Sequence, residues 1–409
     1  MQTHKTPWFL LIGPGLLVAA TGVGAGDLAT ASFSGAHLGV AVLWAVVVGG
    51  VMKVVLTEGL ARWQLATGQT LLEGLSQRMG WFFAWLFLPY LVLWSFFVGA
   101  ALISACGVTL HALLPVFDSP SNGKIFFGVL SSLIGLVLVL LGGFKLFEKV
   151  MMFCIGLMFC TVILTAAILW PGWTEVLQGL LWPRIPDAEG QGLAWTVALI
   201  GGVGGTLTIL CYGYWIREKG RVNHQALNLC RIDLATGYVM TVIFGLAMVI
   251  IGSQISVDGK GSGLLVSLAG KLEEAMGPVG YWLFLIGAFG AVFSSLLGVW
   301  QAVPYLFADV WRMSVNKTSA VVDSGALPYR AYLIALAIIP MLGLLMSFKE
   351  AQKLYAIVGA AFMPLLALAL LLMNRRKNLG AHATGWLGSF LLILTLGFFG
   401  TMAGQKWLS

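Results

Sequence analysis

The sequence predicts an all-α polytopic membrane protein with eleven transmembrane helices, and three observations support this fold class. Of the 409 residues, 59% are hydrophobic and 10% are charged, whereas soluble proteins average about 45–50% and about 25%. Apolar runs of roughly 20 residues, the length of a membrane-spanning helix, recur along the chain. The 52 glycines suit close helix packing within a bilayer. A soluble enzyme, a secreted disulfide scaffold and a nucleic-acid-binding protein are therefore poor fits.

The predicted helices follow one another with polar connections of at most about 20 residues, so we expect a single transmembrane domain over residues 1–409. The first apolar run could be mistaken for a cleaved signal sequence, but the ten apolar segments after it favour a retained helix. The five cysteines form no Cys-x-x-Cys pair and are interpreted as small apolar residues. The helices are expected at residues 8–35, 38–60, 81–112, 124–144, 149–170, 193–215, 234–253, 279–306, 329–347, 353–374 and 384–404.

The basic residues between these helices indicate the orientation. With the N-terminus in the cytoplasm, sixteen of the 23 Lys and Arg residues fall on the inner side and seven on the outer side. The inner count is fifteen when Lys53, which lies within the second predicted helix, is left out. Because positive charge gathers on the cytoplasmic side of membrane proteins, we predict a cytoplasmic N-terminus, an external C-terminus and a bacterial-type inner membrane. The net charge of +7 is explained by these loops and does not indicate a nucleic-acid partner.

Glycine clusters interrupt the first and sixth predicted helices. Gly22, Gly24 and Gly26 lie in the first helix, and the run 201–205 supplies four glycines in the sixth. Breaks at positions one and six predict two inverted repeats of five helices, over about 8–170 and 193–374, with an extra helix at about 384–404. In transporters built this way, broken helices meet near the midplane and their unpaired peptide groups form the substrate site. The alternative is that the glycines only allow close helix packing.

Asp27 is the one carboxylate that the sequence places deep inside a predicted helix. A buried carboxylate in a membrane is costly unless it is paired or hydrated, so we expect a cation or proton site at Asp27. The alternative is that Asp27 caps the outer half-helix. Lys53 lies inside the second helix and could form an ion pair with Asp27, or could extend to the cytoplasmic surface near Glu58.

Further polar groups accompany the two glycine clusters. In the sixth helix, Gly204 and Gly205 precede Thr206 and Thr208, whose hydroxyls could coordinate an ion or could bond back to the helix. Tyr212 could belong to an aromatic wall or to an interface belt, and Ser295 could face the cavity or bond between helices. The predicted substrate site comprises Gly24, Gly26, Asp27, Gly204, Gly205, Thr206, Thr208, Tyr212 and Ser295.

Short motifs near the N-terminus resemble those of the NRAMP family of divalent-metal transporters. Gly13-Pro14-Gly15 matches the opening of that family's first helix, and Ala29-Thr30 matches a later landmark. Ala61-Arg62 and Ala66-Thr67-Gly68 match the end of its second helix, and the similarity is strongest over residues 8–80. The resemblance implies a LeuT-type (APC) fold, with a 5+5 inverted repeat plus one helix, and a secondary transporter or symporter.

The usual metal ligands of the NRAMP family are mostly replaced. Its first-helix Asp-Pro-Gly-Asn aligns with Gly24–Asp27, so the metal-binding Asp position is a glycine and the Asn position is Asp27. Its Met-Pro-His motif aligns with about Gly205–Leu207, and its tenth-helix Gln aligns with Ala356. The family's third-helix carboxylates, which are associated with proton movement, align with Leu93 and Phe96, so the usual proton route is also absent. The resemblance therefore implies Asp27 as the metal ligand. Its carboxylate and the nearby hydroxyls and carbonyls are hard oxygen ligands, which favour Mg²⁺ or Mn²⁺ over softer ions.

We therefore expect an NRAMP-like secondary transporter that moves a divalent metal ion by alternating access. No enzymatic motif and no cofactor are predicted, and the expected partners are the transported substrate and the lipid bilayer, with the oligomeric state left open. One alternative is transport of a small organic or amino-group substrate on the same fold. Another is a non-transporting sensor or scaffold.

Overall fold

The computed structural model describes residues 13–254, 264–316 and 322–408, and every regular element in these ranges is helical. The start of the first predicted helix, residues 8–12, lies outside them. The α-helices are α1 (Gly13–Gly22), α2 (Ser32–Leu38), α3 (Leu43–Thr67), α4 (Leu71–Met79), α5 (Trp81–Leu113), α6 (Pro120–Ile168), α7 (Trp173–Leu181), α8 (Gly192–Gly202), α9 (Cys211–Glu218), α10 (Leu227–Ser253), α11 (Leu264–Met276), α12 (Pro278–Asn316), α13 (Leu327–Ile338), α14 (Phe348–Ala360), α15 (Phe362–Met373), α16 (Arg376–Leu379) and α17 (Trp386–Leu408).

Eight helical stretches within the described ranges are long and apolar enough to cross a membrane. One of them, α6, changes direction at Gly143, whose backbone is non-helical (φ 59°, ψ −179°), and this corresponds to the predicted boundary between the fourth and fifth helices. Large apolar side chains on the outer faces are exposed, including Trp85 and Leu141 at 74% and 82%, as expected for surfaces that face lipid. The total of eleven crossings stays a prediction.

The first helix is not broken, which corrects the expectation from its glycines. A π-helical segment, Val23–Ala31, joins α1 to α2, and the flanking residues Gly22 and Ser32 keep right-handed helical backbone angles. Short π-helical segments arise where a group enters the normal i to i−4 ladder and widens the turn. The inserted group is a side chain from α12, described below. The first helix therefore rearranges its hydrogen bonds without unwinding.

The sixth helix is broken, as predicted. The segment α8 ends at Gly202, and the chain resumes as a 3₁₀ turn, Leu207–Leu210, followed by α9. Between them Gly204 and Gly205 take left-handed angles, with φ of 70° and 85°. Glycine adopts such angles without the steric penalty of a side chain, so the glycine pair accounts for the position of the break.

The core is built around the first helix, with α10 and α12 against it and α5 and α6 packed on α12. Small residues allow the closest approaches: a Cβ atom on Gly15 would overlap the backbone carbonyl of Asp233 in α10. The Gly-Pro-Gly opening of α1 thus lies at a helix crossing, where only a glycine fits. This packing holds the π-helical segment beside the break in the sixth helix.

Candidate functional site

Asp27 lies in the π-helical segment and points at the break in the sixth helix. Its side chain is fully buried, and its Oδ2 atom accepts a hydrogen bond from the backbone N–H of Gly204 at 3.2 Å. Its Oδ1 atom has no hydrogen-bond partner within the described ranges. The predicted cap of an outer half-helix does not describe this geometry, because Asp27 bonds to the opposite broken helix. The carboxylate retains capacity to bind a cation or proton donor.

Ser295 of α12 supplies the group that widens the first helix. Its Oγ atom accepts a hydrogen bond from Gly24 N–H at 2.6 Å and donates to the Ala20 carbonyl at 2.8 Å. Gly24 and Ala20 are four residues apart and would bond directly in an α-helix, so the hydroxyl replaces that bond. A Cβ atom on Gly24 would lie 2.5 Å from Ser295 Oγ. Gly24 and Ser295, both predicted site residues, are therefore brought together as one structural unit.

Lys53 of α3 bonds to backbone carbonyls at the break in the sixth helix and does not extend to the surface near Glu58. Its side chain is fully buried, and its ammonium group donates to the carbonyl of Gly201, at 2.7 Å, and to that of Gly205. The ion pairs described for this part of the structure do not include Lys53 with Asp27, and Glu58 instead pairs with Arg62 and Arg231. The lysine therefore binds carbonyls that the break leaves without helical partners. These backbone partners have no signature in the local sequence.

The hydroxyls of the sixth helix take different roles. Thr206 accepts a hydrogen bond from the indole N–H of Trp94 in α5 at 2.9 Å, and Tyr355 of α14 lies beside that indole, with ring centroids 6.4 Å apart. Thr208 Oγ1 is buried without a partner among the described residues. Gly204 thus bonds to Asp27, and Gly205, Thr206 and Thr208 follow it in the same segment of the sixth helix. Their role in substrate binding stays a prediction. Gly26 lies in the π-helical segment.

Tyr212 lies away from this locus. Its hydroxyl donates to Asp233 Oδ2 at 3.0 Å, in a cluster where Arg221 Nη1 lies 2.7 Å from the same oxygen and Gly15 N–H bonds to Oδ1 at 2.9 Å. Asp233 is fully buried inside α10. Asp27 is therefore not the one carboxylate deep inside a helix. The sequence did not reveal Asp233, because this residue lies just before the predicted helix at 234–253. We call the residues Gly15, Tyr212, Arg221 and Asp233 the Asp233 cluster.

Asp309 of α12 forms the centre of a second buried polar cluster. Its Oδ2 atom accepts hydrogen bonds from Tyr214 at 2.6 Å and Thr70 at 3.0 Å, and its Oδ1 lies 3.0 Å from Arg312. Thr70 also begins α4 through a reciprocal capping box with Glu73. This cluster links α4, α9 and α12 on the side that is predicted to face the cytoplasm.

Glu73 is expected to make stability depend on pH. Burial, and next the nearby Asp309 carboxylate, raise the pKa of Glu73 above its ordinary value of 4.5. A raised folded-state pKa favours the protonated folded protein, so this contribution is fully present below pH 4.5 and is lost as pH rises through the raised value. Glu73→Gln should therefore show a smaller fall in melting temperature between pH 4.5 and 7 than the unmodified protein.

Thermal unfolding in detergent across this pH range measures the effect, with Glu189→Gln in an exposed loop as the control. A Glu73→Gln profile parallel to that of the unmodified protein contradicts the assignment.

The model of the family described as natural resistance-associated macrophage protein-like (NRAMP) matches residues 15–406. The chain belongs to the NRAMP family. The resemblance found in the short N-terminal motifs is therefore confirmed, and with it the assignment to membrane transporters.

Individual relatives are distant. A protein named divalent metal cation transporter MntH from Mycobacterium leprae is 25% identical over 308 residues, which cover 71% of this chain and 68% of the relative. An uncharacterized protein, PM0681, from Pasteurella multocida is also 25% identical, over 77% of this chain and 74% of the relative. Both matches span most of each protein.

Solved structures confirm the predicted fold class. A mutant of the Eremococcus coleocola manganese transporter superposes with a TM-score of 0.75 at 16% identity, covering 98% of this chain and 88% of the other. The transporter MhsT in complex with L-phenylalanine superposes with a TM-score of 0.60 at 18% identity, over 95% and 96% of the two chains. The NRAMP-family chain thus has the LeuT-type fold.

Among the positions aligned with the usual NRAMP metal ligands, Gly24 and Ala356 have no side-chain ligand atom, whereas Asp27 carries a carboxylate. Leu93, which aligns with a third-helix carboxylate of the family, is 50% exposed, whereas Trp94 beside it is fully buried against Thr206. Ala356 is buried in α14. Among the described residues, no group of three or more His, Cys, Asp or Glu side chains is placed to hold a metal ion. Any metal at this locus would rely on Asp27, hydroxyls and carbonyls.

Proposed function

We propose that this protein is a secondary transporter in a bacterial inner membrane that moves a divalent metal cation, with the N-terminus in the cytoplasm. Membership of the NRAMP family supports this proposal, since relatives of this chain are named as divalent metal cation transporters. The substrate would bind between the π-helical segment and the break in the sixth helix. Hard ions, Mg²⁺ or Mn²⁺, fit best because the available ligands are oxygens.

The observation that carries this proposal is the unpartnered Oδ1 atom of Asp27. A fully buried carboxylate inside a transmembrane helix is costly, and such residues in membrane proteins mark ion pathways and proton relays. Thr208 offers a second buried oxygen without a partner among the described residues. Both atoms belong to the two helices that the inverted-repeat fold brings together.

The structure is closed around the proposed site. Asp27, Lys53, Thr206 and Trp94 are fully buried, and Thr208 is 3% exposed. A cation can reach Asp27 only after helices separate. We therefore propose alternating access, in which the first, second, sixth and seventh helices rock against the others.

A second candidate substrate is a small organic or amino-group compound. The observation in its favour is Lys53, because its ammonium group occupies the carbonyls that a metal ion would otherwise use. With Lys53 in place, the carboxylate of Asp27 and the ammonium carry opposite formal charges. A site with no net charge suits a neutral or zwitterionic substrate better than a bare cation.

Replacement of Asp27 by Asn should abolish uptake of Mn²⁺ into proteoliposomes, because the amide keeps the shape but not the charge of the side chain. We expect at least a tenfold loss of initial rate without loss of expression. The matched control is Glu189→Gln, an exposed loop carboxylate. Full uptake by the Asp27→Asn variant contradicts a role in transport.

The same preparation separates the candidate functions. Saturable Mn²⁺ or Mg²⁺ uptake that depends on Asp27 supports a metal substrate. Thermal stabilisation by an amine or amino acid, with none by either metal, supports the organic substrate. Absence of any ligand effect supports the sensor or scaffold.

A further inference from the structure

The break in the sixth helix creates a cation-binding group of carbonyls. Residues Val203–Thr206 have non-helical backbone angles, so carbonyls at the C-terminal end of α8 lose their partners in the next turn. The C-terminal end of a helix also carries partial negative charge. In the interior of a membrane protein, where water is scarce, these carbonyls need a donor or a cation.

Lys53 provides that cation from within the protein. Its ammonium group donates to the carbonyls of Gly201 and Gly205, which lie on either side of the left-handed Gly204. The approach of α3 to α8 is close: a Cβ atom on Gly49, one turn before Lys53, would lie 2.9 Å from the Ile200 carbonyl oxygen. The lysine is fully buried, so the helix packing places its charge at the break.

The charge balance limits what can bind beside Lys53. Asp27 bonds to the Gly204 N–H while Lys53 bonds to the carbonyls on either side of it. One carboxylate and one ammonium group have no net formal charge. A divalent cation added beside both groups would give this low-dielectric site a net formal charge of two positive units. A divalent cation that displaced the ammonium group would give it a net charge of one positive unit.

We propose that the ammonium group of Lys53 is a built-in cation that fills the carbonyl site of the sixth-helix break, and that a substrate cation must displace it. The competition between a substrate cation and Lys53 rests on the proposed function. The occupation of the carbonyls by the Lys53 ammonium group does not. Lys53 is therefore a specificity-determining residue, which sets the metal concentration at which the site fills. It also stabilises the broken helix when no substrate is bound.

The first test is chemical rescue of Lys53→Ala. Truncation removes the ammonium group and leaves space for a small amine, so the melting temperature of the purified variant in detergent should fall. Methylammonium should restore a large part of that loss, and tetramethylammonium, which has no N–H donor, should restore none. The unmodified protein should not respond to either ion. A Lys53→Ala variant that methylammonium does not stabilise overturns the built-in cation, and so does a Lys53→Met variant as stable as the unmodified protein.

The second test is competition with Mn²⁺. Lys53→Met keeps an unbranched side chain without charge, so the Mn²⁺ concentration at half-maximal thermal stabilisation should fall at least tenfold. The matched control is Lys124→Met, because Lys124 is also buried and donates to a backbone carbonyl, that of Met346 at 2.8 Å. It should leave the midpoint unchanged. An equal midpoint for Lys53→Met and the unmodified protein overturns the competition.

These readouts distinguish the two proposals. Methylammonium rescue without any Mn²⁺ or Mg²⁺ effect in either protein supports the built-in cation and contradicts the metal substrate. Mn²⁺ uptake that depends on Asp27, without methylammonium rescue, supports the metal substrate and contradicts the built-in cation.

Discussion

Replacement of Arg221 by Ala is expected to lower the free energy of unfolding by about 3–5 kcal/mol, the usual cost of breaking a buried ion pair by removing one partner. The guanidinium Nη1 lies 2.7 Å from Asp233 Oδ2, and the two side chains are 6% and 0% exposed. Without Arg221, the carboxylate stays inside α10, where Tyr212 and the Gly15 N–H are its remaining hydrogen-bond donors among the described residues. The Asp233 cluster also joins α1 to α10, so the loss should weaken that helix crossing.

Denaturant or thermal unfolding of the purified protein measures this effect. Arg231→Ala is the matched control, because Arg231 is 48% exposed and shares Glu58 with Arg62. An exposed pair of this kind contributes about 0–1 kcal/mol. Equal losses in the two variants contradict a special role for the Asp233 cluster.

The second large effect is expected for Gly22→Ala, which should destabilise the protein by about 1–3 kcal/mol, the usual range for overpacking. A Cβ atom on Gly22 would overlap the carbonyl carbon of Gly204 and lie 2.6 Å from the nitrogen of Gly205. These are backbone atoms, which cannot rotate away as a side chain can. The first helix would have to move from the break, and the Asp27 contact with Gly204 would lengthen, so transport should fall at least tenfold.

Uptake and thermal unfolding are measured on the same preparation. The control is Gly156→Ala, an exposed helical position at which a Cβ atom would have nothing within 4 Å. Alanine favours helix over glycine by up to about 1 kcal/mol, so this variant should be as stable as the unmodified protein or slightly more stable. Normal transport by Gly22→Ala contradicts the proposed contact between the first helix and the break.

Much of the fold could be predicted from the sequence because the apolar runs are long and the sixth-helix glycines directly permit the left-handed angles at Gly204 and Gly205. The continuous, π-helical course of the first helix could not be predicted. Its glycines give the same local signal, but at Gly24 the glycine makes room for Ser295, which lies 271 residues away in the chain. Close helix packing and an interruption of a helix both favour glycine, and only the tertiary partner distinguishes the two cases.

The site was predicted in part for a related reason. Asp27 and the threonines stand out as polar residues inside apolar runs, whereas the partner of Lys53 is a pair of backbone carbonyls and has no side-chain signature. Trp94 was not predicted as a site residue because a tryptophan does not stand out within an apolar run. Its signal was the helical spacing of Phe87, Leu91, Trp94 and Val98, which places it on the inward face of α5.

The bond between Lys53 and the sixth helix bears on how the protein is made. A lysine at the centre of a spanning helix opposes insertion by about 2.5–3.5 kcal/mol, and each unpaired peptide group exposed to hydrocarbon costs several kcal/mol more. The ribosome delivers the lysine 148 residues before Gly201. The nascent N-terminal half must therefore keep that charge hydrated or shielded until the later half arrives. The N-terminal half contains a buried ammonium group and the later half contains the carbonyls that bind it. This bond couples the assembly of the two halves during biogenesis.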